Sequence, residues 1–118
     1  VMTAYVIAAE LAAGRIKKDD QVLISERAWR EGGAGTAGSY SGFDVNTRAP
    51  LDAVLTGMVV QSGNDASIAM AEHVAGTQEA FADLMNSYAA KIGMTNSRFV
   101  NAHGLDADGQ VVTARDMA

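Results

Sequence analysis

The sequence predicts a mainly α-helical chain carrying at most one small two-stranded β element. Apolar residues recur at helical spacing in four separate stretches, glycines and capping residues punctuate the gaps between them, and only two short runs read as extended. The chain has 118 residues, 48% of them hydrophobic and 19% charged, a length and composition that suit one packed domain and exclude disorder and fibrous architectures.

Residues 1–13 read as the first helix, closed by Gly14 and followed by Arg15, Lys17 and Lys18. Val1 offers no side chain to the four N–H groups that open a helix, which places the cap upstream of it. Residues 21–24, after Asp19-Asp20, read as a strand, and 48–50 is a segment able to pair with it. Between them 31–47 holds Gly32, Gly33, Gly35, Gly38 and Gly42, so little side-chain surface is available to bury. An exposed loop is expected there, of a length that often covers sites.

Pro50 opens the next helix, 51–60, with Leu51, Val54, Leu55, Met58 and Val59 at helical spacing. A helix over 65–74 follows, stopped by Gly76. Thr77 is suited to cap the next one, with Glu79 near its positive end and Phe81, Leu84, Met85, Tyr88, Ala89 and Ile92 on one apolar face; Gly93 ends it. Residues 94–112 read as loop with short extended pieces. Thr113 and Asp116 have the spacing of a capping box, with Asp in place of Glu, and Met117-Ala118 stop inside the first turn that it announces. Both ends point to a piece of a larger domain; frayed natural termini are the other reading.

Several functions are excluded or disfavoured. A net charge of −5 with scattered Lys and Arg gives no positive stripe for phosphates, so no nucleic-acid partner is expected. The longest apolar stretches, 1–13 and 53–60, fall short of the ~20 residues that span a bilayer. The absence of cysteine rules out thiolate chemistry and disulfides and leaves the compartment open. Residues 33–38 match G-x-G-x-x-G, but no helix is expected to follow, which leaves a chance match in a glycine-rich loop. Around Asp106 and Asp108, a calcium loop with Gly109 at its sixth place would put Arg115 where a bidentate Glu is needed. Zinc lacks ligands, since only His73 and His103 exist, on separate elements; no metal or cofactor is expected. His103 reads as a hydrogen-bonded structural residue and His73 as a helix-surface one.

Gln61-Ser62-Gly63-Asn64-Asp65 lies where one helix stops and the next begins. A structural role suffices for it, with Gly63 as breaker and Asn64 or Asp65 as cap. A functional role is equally physical: a Ser and an Asn two apart on a rigid turn present a hydroxyl that relays a proton and an amide that both donates and accepts.

The surrounding residues decide between these. Met2-Thr3-Ala4-Tyr5-Val6-Ile7, Ala28-Trp29, Gln61-Ser62-Gly63-Asn64-Asp65-Ala66, Phe81 with Leu84-Met85-Asn86, and His103-Gly104-Leu105-Asp106-Ala107-Asp108-Gly109-Gln110, with Ala114-Arg115-Asp116-Met117-Ala118, occur in one order. In this the chain resembles the serine D-alanyl-D-alanine carboxypeptidases, low-molecular-mass penicillin-binding proteins that share their fold with class A β-lactamases. The resemblance implies an α+β parent domain of transpeptidase-like fold, of which 1–118 is the helical part. It also implies three motifs, S-x-x-K, S-x-N and K-T-G, of which only the second is present, as Ser62-Gly63-Asn64. The lysine of the first would directly precede Val1, and K-T-G would lie beyond Ala118, so the chain by itself lacks a nucleophile.

By the same resemblance, Ser62 helps pass a proton to the departing D-alanine and Asn64 holds the substrate backbone and the absent lysine. A peptidoglycan pentapeptide is the implied substrate, β-lactams are implied covalent inhibitors, and the location is the envelope, outside the cytoplasmic membrane, with any membrane anchor in segments beyond these residues. Gly63 differs from the S-D-N usual in class A β-lactamases. The loop 32–46 is richer in glycine than the family leads one to expect, which bears on substrate preference. Other readings are a D,D-endopeptidase or β-lactamase of the same fold, or a non-catalytic helical scaffold.

Overall fold

The computed structural model describes residues 2–33, 40–105 and 107–118. Six helices and two short strands appear among them, in the order α1 (Met2–Ala12), β1 (Gln21–Leu23), α2 (Glu26–Gly32), β2 (Arg48–Pro50), α3 (Leu51–Val60), α4 (Asn64–Ala75), α5 (Gln78–Lys91) and α6 (Ala114–Met117). The mainly helical reading with one two-stranded β element is thus correct.

Helix α4 is the axis of the fold. Its residues Asn64 through Ala71 are all buried, an all-round burial that a surface helix never shows. It packs against α1, α2, α3, α5 and β1. Apolar side chains form two clusters around it. Ile7, Val22, Ile24, Leu51, Val54, Ile68 and Met70 make one; Val6, Ala71, Phe81, Met85 and Met94 make the other. Burying a side chain of this size stabilises by about 1.5–3 kcal/mol, and the small Ala66, Ala69 and Ala71 let neighbouring helices approach α4 closely.

Strands β1 and β2 are antiparallel, with Val22 opposite Ala49. Val22 is buried between exposed Gln21 and Leu23, the alternation expected when one face meets a core. The helix boundaries follow the chain's own punctuation. Gly14, Gly76 and Gly93 all take positive φ at or just beyond helix ends. Thr77 Oγ1 accepts a hydrogen bond from the Ala80 N–H at 3.0 Å, and Thr113 Oγ1 accepts one from the Asp116 N–H at 3.0 Å. In the 94–112 stretch the extended pieces reduce to one bridge, Arg98 with Val111.

Three expectations need correction. Residues 31 and 32 are not loop but the end of α2, a helix that the glycine-rich reading passed over. Ser25 Oγ caps it by accepting from the Ala28 N–H at 3.0 Å, and Arg27–Glu31 and Arg30–Glu26 pairs lie one turn apart along it. Nor is the rest of 31–47 simply exposed: Gly33 is buried, and Ser41, Phe43 and Val45 are half-buried. Residues 34–39, with most of the G-x-G-x-x-G match, lie outside the described residues. Ile92, assigned to the apolar face of α5, is 50% exposed because the helix ends at Lys91 and the chain turns there.

Polar ties join the outer elements. Arg27 spans from α2 to α5 and bonds Glu79 at 2.5 and 3.0 Å, holding the Glu79 carboxyl down to about 2. Buried Glu10 of α1 accepts from Arg15 Nε and from the Tyr88 hydroxyl of α5.

Candidate active site

Helix α3 ends at Val60 and α4 begins at Asn64, leaving a three-residue turn that carries Ser62. The N–H groups of Gln61 and Gly63 both donate to the Gly57 carbonyl at 3.2 Å, which closes α3 and reverses the chain. Ser62 takes φ of +53°, a left-handed conformation that costs a side-chain-bearing residue about 1–2 kcal/mol. The serine is exposed, whereas Asn64 is buried in the first turn of α4. The structure therefore sets the two motif residues in different environments, Ser62 at the surface and Asn64 buried. The expectation that Asn64 or Asp65 caps α4 is replaced by Gly63 in the cap position, with no side-chain cap bond.

Asp65 has another task. It is 2% exposed, and its carboxylate gathers three backbone N–H groups: Ser41 at 2.6 Å and Ala66 at 2.8 Å on Oδ1, and Gly42 at 3.2 Å on Oδ2. Its negative charge also stands in the first turn of α4, where the helix dipole favours it. The segment 41–43 is thereby laid against the Ser62 turn. A Cβ at Gly63 would collide with Ser41 Oγ, so the middle residue of the motif has to be small while Ser41 stays there. On the far side α2 abuts the same spot, since a Cβ at Gly32 would lie 2.5 Å from the Asp65 nitrogen.

The loop 101–110 forms the other border. Gln110 Oε1 accepts from the N–H groups of Val100 and Asn101, Asn101 Oδ1 accepts from the Gly104 N–H, and both amide nitrogens donate to the Leu105 carbonyl. Thr3 Oγ1 on α1 donates to the Ala102 carbonyl at 2.6 Å, tying this loop to the first helix. His103 sits in the loop half-buried, with Nδ1 accepting from the Leu105 N–H at 3.2 Å. Burial pushes its imidazole below the usual 6.5 against an opposing pull from Glu31, so the ring is neutral at neutral pH.

Between α1, the end of α3 and this loop lies a groove of about 470 Å3, lined by Thr3, Ala4, Ser62, Ser67 and His103 among others. The structure thus brings Ser62 and His103 to one depression, which the sequence reading did not do. His103 keeps the hydrogen bond expected of it and gains a place at the groove. His73 is elsewhere: it is half-buried rather than a free helix-surface residue, and its Nε2 faces Asp20 Oδ2 at 3.2 Å. Among the described residues there is no group of three or more His, Cys, Asp or Glu able to hold a metal, and no helix long and apolar enough to cross a membrane. A second opening of about 430 Å3 beside Met2, Tyr5 and Met117 includes Asp116, but that carboxylate is spent on the Asn96 N–H and the Ser97 hydroxyl. The turn thus presents an exposed hydroxyl at the groove two residues before a buried amide-bearing residue.

Solved structures give the class first. The D-alanyl-D-alanine carboxypeptidase DacD from Francisella tularensis superposes with a TM-score of 0.90 at 44% identity, covering 99% of this chain and 27% of that one. Penicillin binding protein 5 from Haemophilus influenzae gives 0.91 at 40% identity, covering 99% and 33%. The mainly helical fold is therefore shared with penicillin-binding proteins of transpeptidase-like fold. The sequence profile of the D-alanyl-D-alanine carboxypeptidases matches residues 1–118, and the chain belongs to that family. DacC of Escherichia coli K12, a D-alanyl-D-alanine carboxypeptidase, is 48% identical over 122 residues, which takes in all of this chain and 30% of the relative. The chain spans about 30% of the length of the curated relatives it matches.

Proposed function

We propose that the whole protein is a serine-type D-alanyl-D-alanine carboxypeptidase and that residues 1–118 are the helical part of its catalytic domain. The observation that carries this is Ser62, set on the α3–α4 turn at the groove two residues before the buried Asn64 that opens α4, within a chain of that family.

In this reading a serine of an S-x-x-K motif preceding these residues attacks the carbonyl carbon of the penultimate D-alanine of a peptidoglycan stem peptide. An ester forms, the C–N bond breaks, and the terminal D-alanine leaves as the amine after taking up a proton. Ser62 passes that proton: the residue is exposed at the groove, and a hydroxyl is able to accept from one group while donating to another. Asn64, fixed by burial, offers a donor and an acceptor that orient the substrate amide and the motif lysine. Water then hydrolyses the ester. The groove faces an envelope substrate outside the cytoplasmic membrane, and β-lactams, which mimic the scissile amide, acylate the same serine. The work belongs to peptidoglycan maturation.

The test is turnover of a peptide ending in D-alanyl-D-alanine by the full-length protein. Wild type is expected to release D-alanine and to be labelled by fluorescent penicillin. Ser62→Ala is expected to lower kcat by about a hundredfold or more with the melting temperature unchanged, since the serine is exposed. Cleavage of cross-linked dimers without D-alanine release would make the protein an endopeptidase instead, and an unlabelled, inactive wild type would sink the reading.

A further inference from the structure

We propose that Asp65 is a positioning residue of the carboxypeptidase reaction, acting on Ser62 through the segment 41–43. The inference rests on the functional reading above and adds a residue to it.

Four observations bear on it. Asp65 is 2% exposed, and two of its three N–H partners, Ser41 and Gly42, lie 24 and 23 residues away in the chain. The bonds therefore do not serve α4 itself; they hold a distant segment in place. Ser41 Oγ is buried without a hydrogen-bond partner among the described residues, a condition that costs about 1–3 kcal/mol. A hydroxyl so placed is not held by its own interactions, so its position is imposed by the backbone that Asp65 grips. That position is specific: Ser41 Oγ lies 2.8 Å from where a Cβ of Gly57 would be and against where one of Gly63 would be. Gly57 supplies the carbonyl that closes α3, and Gly63 is the residue after Ser62. The Ser41 side chain is thus a plug between the two ends of the turn on which Ser62 is strained at φ +53°. With the plug in place the turn has no room to relax. Without it, Ser62 loses the constraint that keeps its hydroxyl at the groove.

Asp65→Asn in the full-length enzyme is the test, because Asn keeps the shape and one acceptor oxygen. Hydrogen exchange at the amides of residues 41 and 42 is expected to speed up by tenfold or more, and kcat for D-alanine release to fall about tenfold while KM changes less than threefold. In a Ser62→Ala background the same substitution is expected to cost no further activity, because Asp65 acts through Ser62. If Asp65→Asn fails to fold, Ser41→Pro removes one of the gripped N–H groups from the other end and is expected to give the same kcat loss. Unchanged exchange overturns the grip, and unchanged kcat with faster exchange overturns its role in turnover. A full loss repeated in the Ser62→Ala background makes Asp65 merely structural. A wild type that releases no D-alanine overturns the functional reading, and the exchange measurement then still decides the grip.

Discussion

Two borders flank the Ser62 turn, and they are held by opposite means. The 101–110 loop is knit by two neutral amides, Asn101 and Gln110, through five bonds that span no more than ten residues. The 41–43 segment, whose Phe43 packs on the first apolar cluster, takes its side-chain hydrogen bonds from a single carboxylate, through two bonds that span 23 and 24 residues. An amide donates and accepts, so a pair of amides closes a local network. A carboxylate only accepts, so it collects N–H groups from wherever the chain brings them. The local loop has redundancy in its polar ties, whereas the polar part of the long-range contact rests on one side chain.

The sharpest way to break this comparison is to delete one holder on each side. Asp65→Leu is expected to destabilise by about 3 kcal/mol, because three charge-assisted bonds are lost and the buried Ala66 N–H is left without its partner. Gln110→Leu is expected to cost about 1 kcal/mol, because Asn101 keeps its own bonds and Gln110 is only half-buried. Equal costs by chemical denaturation would erase the distinction.

A smaller effect sharpens the steric half. Gly63→Asp, which would recreate the S-D-N form, is expected to cost about 2 kcal/mol by driving into Ser41. Ser41→Gly is expected to recover most of it, so a double-mutant cycle with no coupling would show that the two do not meet.

The smallest effect is a pH dependence confined to the amide-held border. His103 has its pKa lowered by burial, so as pH falls below 6.5 the unfolded chain takes up a proton that the folded one refuses, and stability drops. Relative to His103→Gln, the wild type is therefore expected to hold a constant stability difference above pH 6.5 and to lose ground below it, down to the lowered pKa. A difference that rises on acidification would place the ring in a charged pair instead.

The helices were legible from local patterns. Pro50 and the spacing of Leu51, Val54 and Met58 set α3, and Thr77 and Gly93 bracket α5, because caps and breakers act within one turn of where they stand. Helix α2 carries local signals as well, Ser25 and the Glu26–Arg30 and Arg27–Glu31 pairs, but the glycines that follow dominate the segment, so no helix is expected there from the sequence. Ser62 and Asn64 were readable as a motif. The part of Asp65 that matters was not, because no local pattern announces a partner 24 residues away, and the residue looked like an ordinary cap.

By itself the sequence determined the helical class, the approximate bounds of every element but α2, the pairing of 21–23 with 48–50, and the family, since all of these depend on residues within a few positions or on ordered motifs. Only the tertiary structure decided that α4 is buried through its first eight residues, that Ser62 faces the surface while Asn64 does not, and that Asp65 carries the 41–43 segment. Those facts arise where distant stretches meet, and burial and long-range hydrogen bonding exist only once the chain has closed on itself.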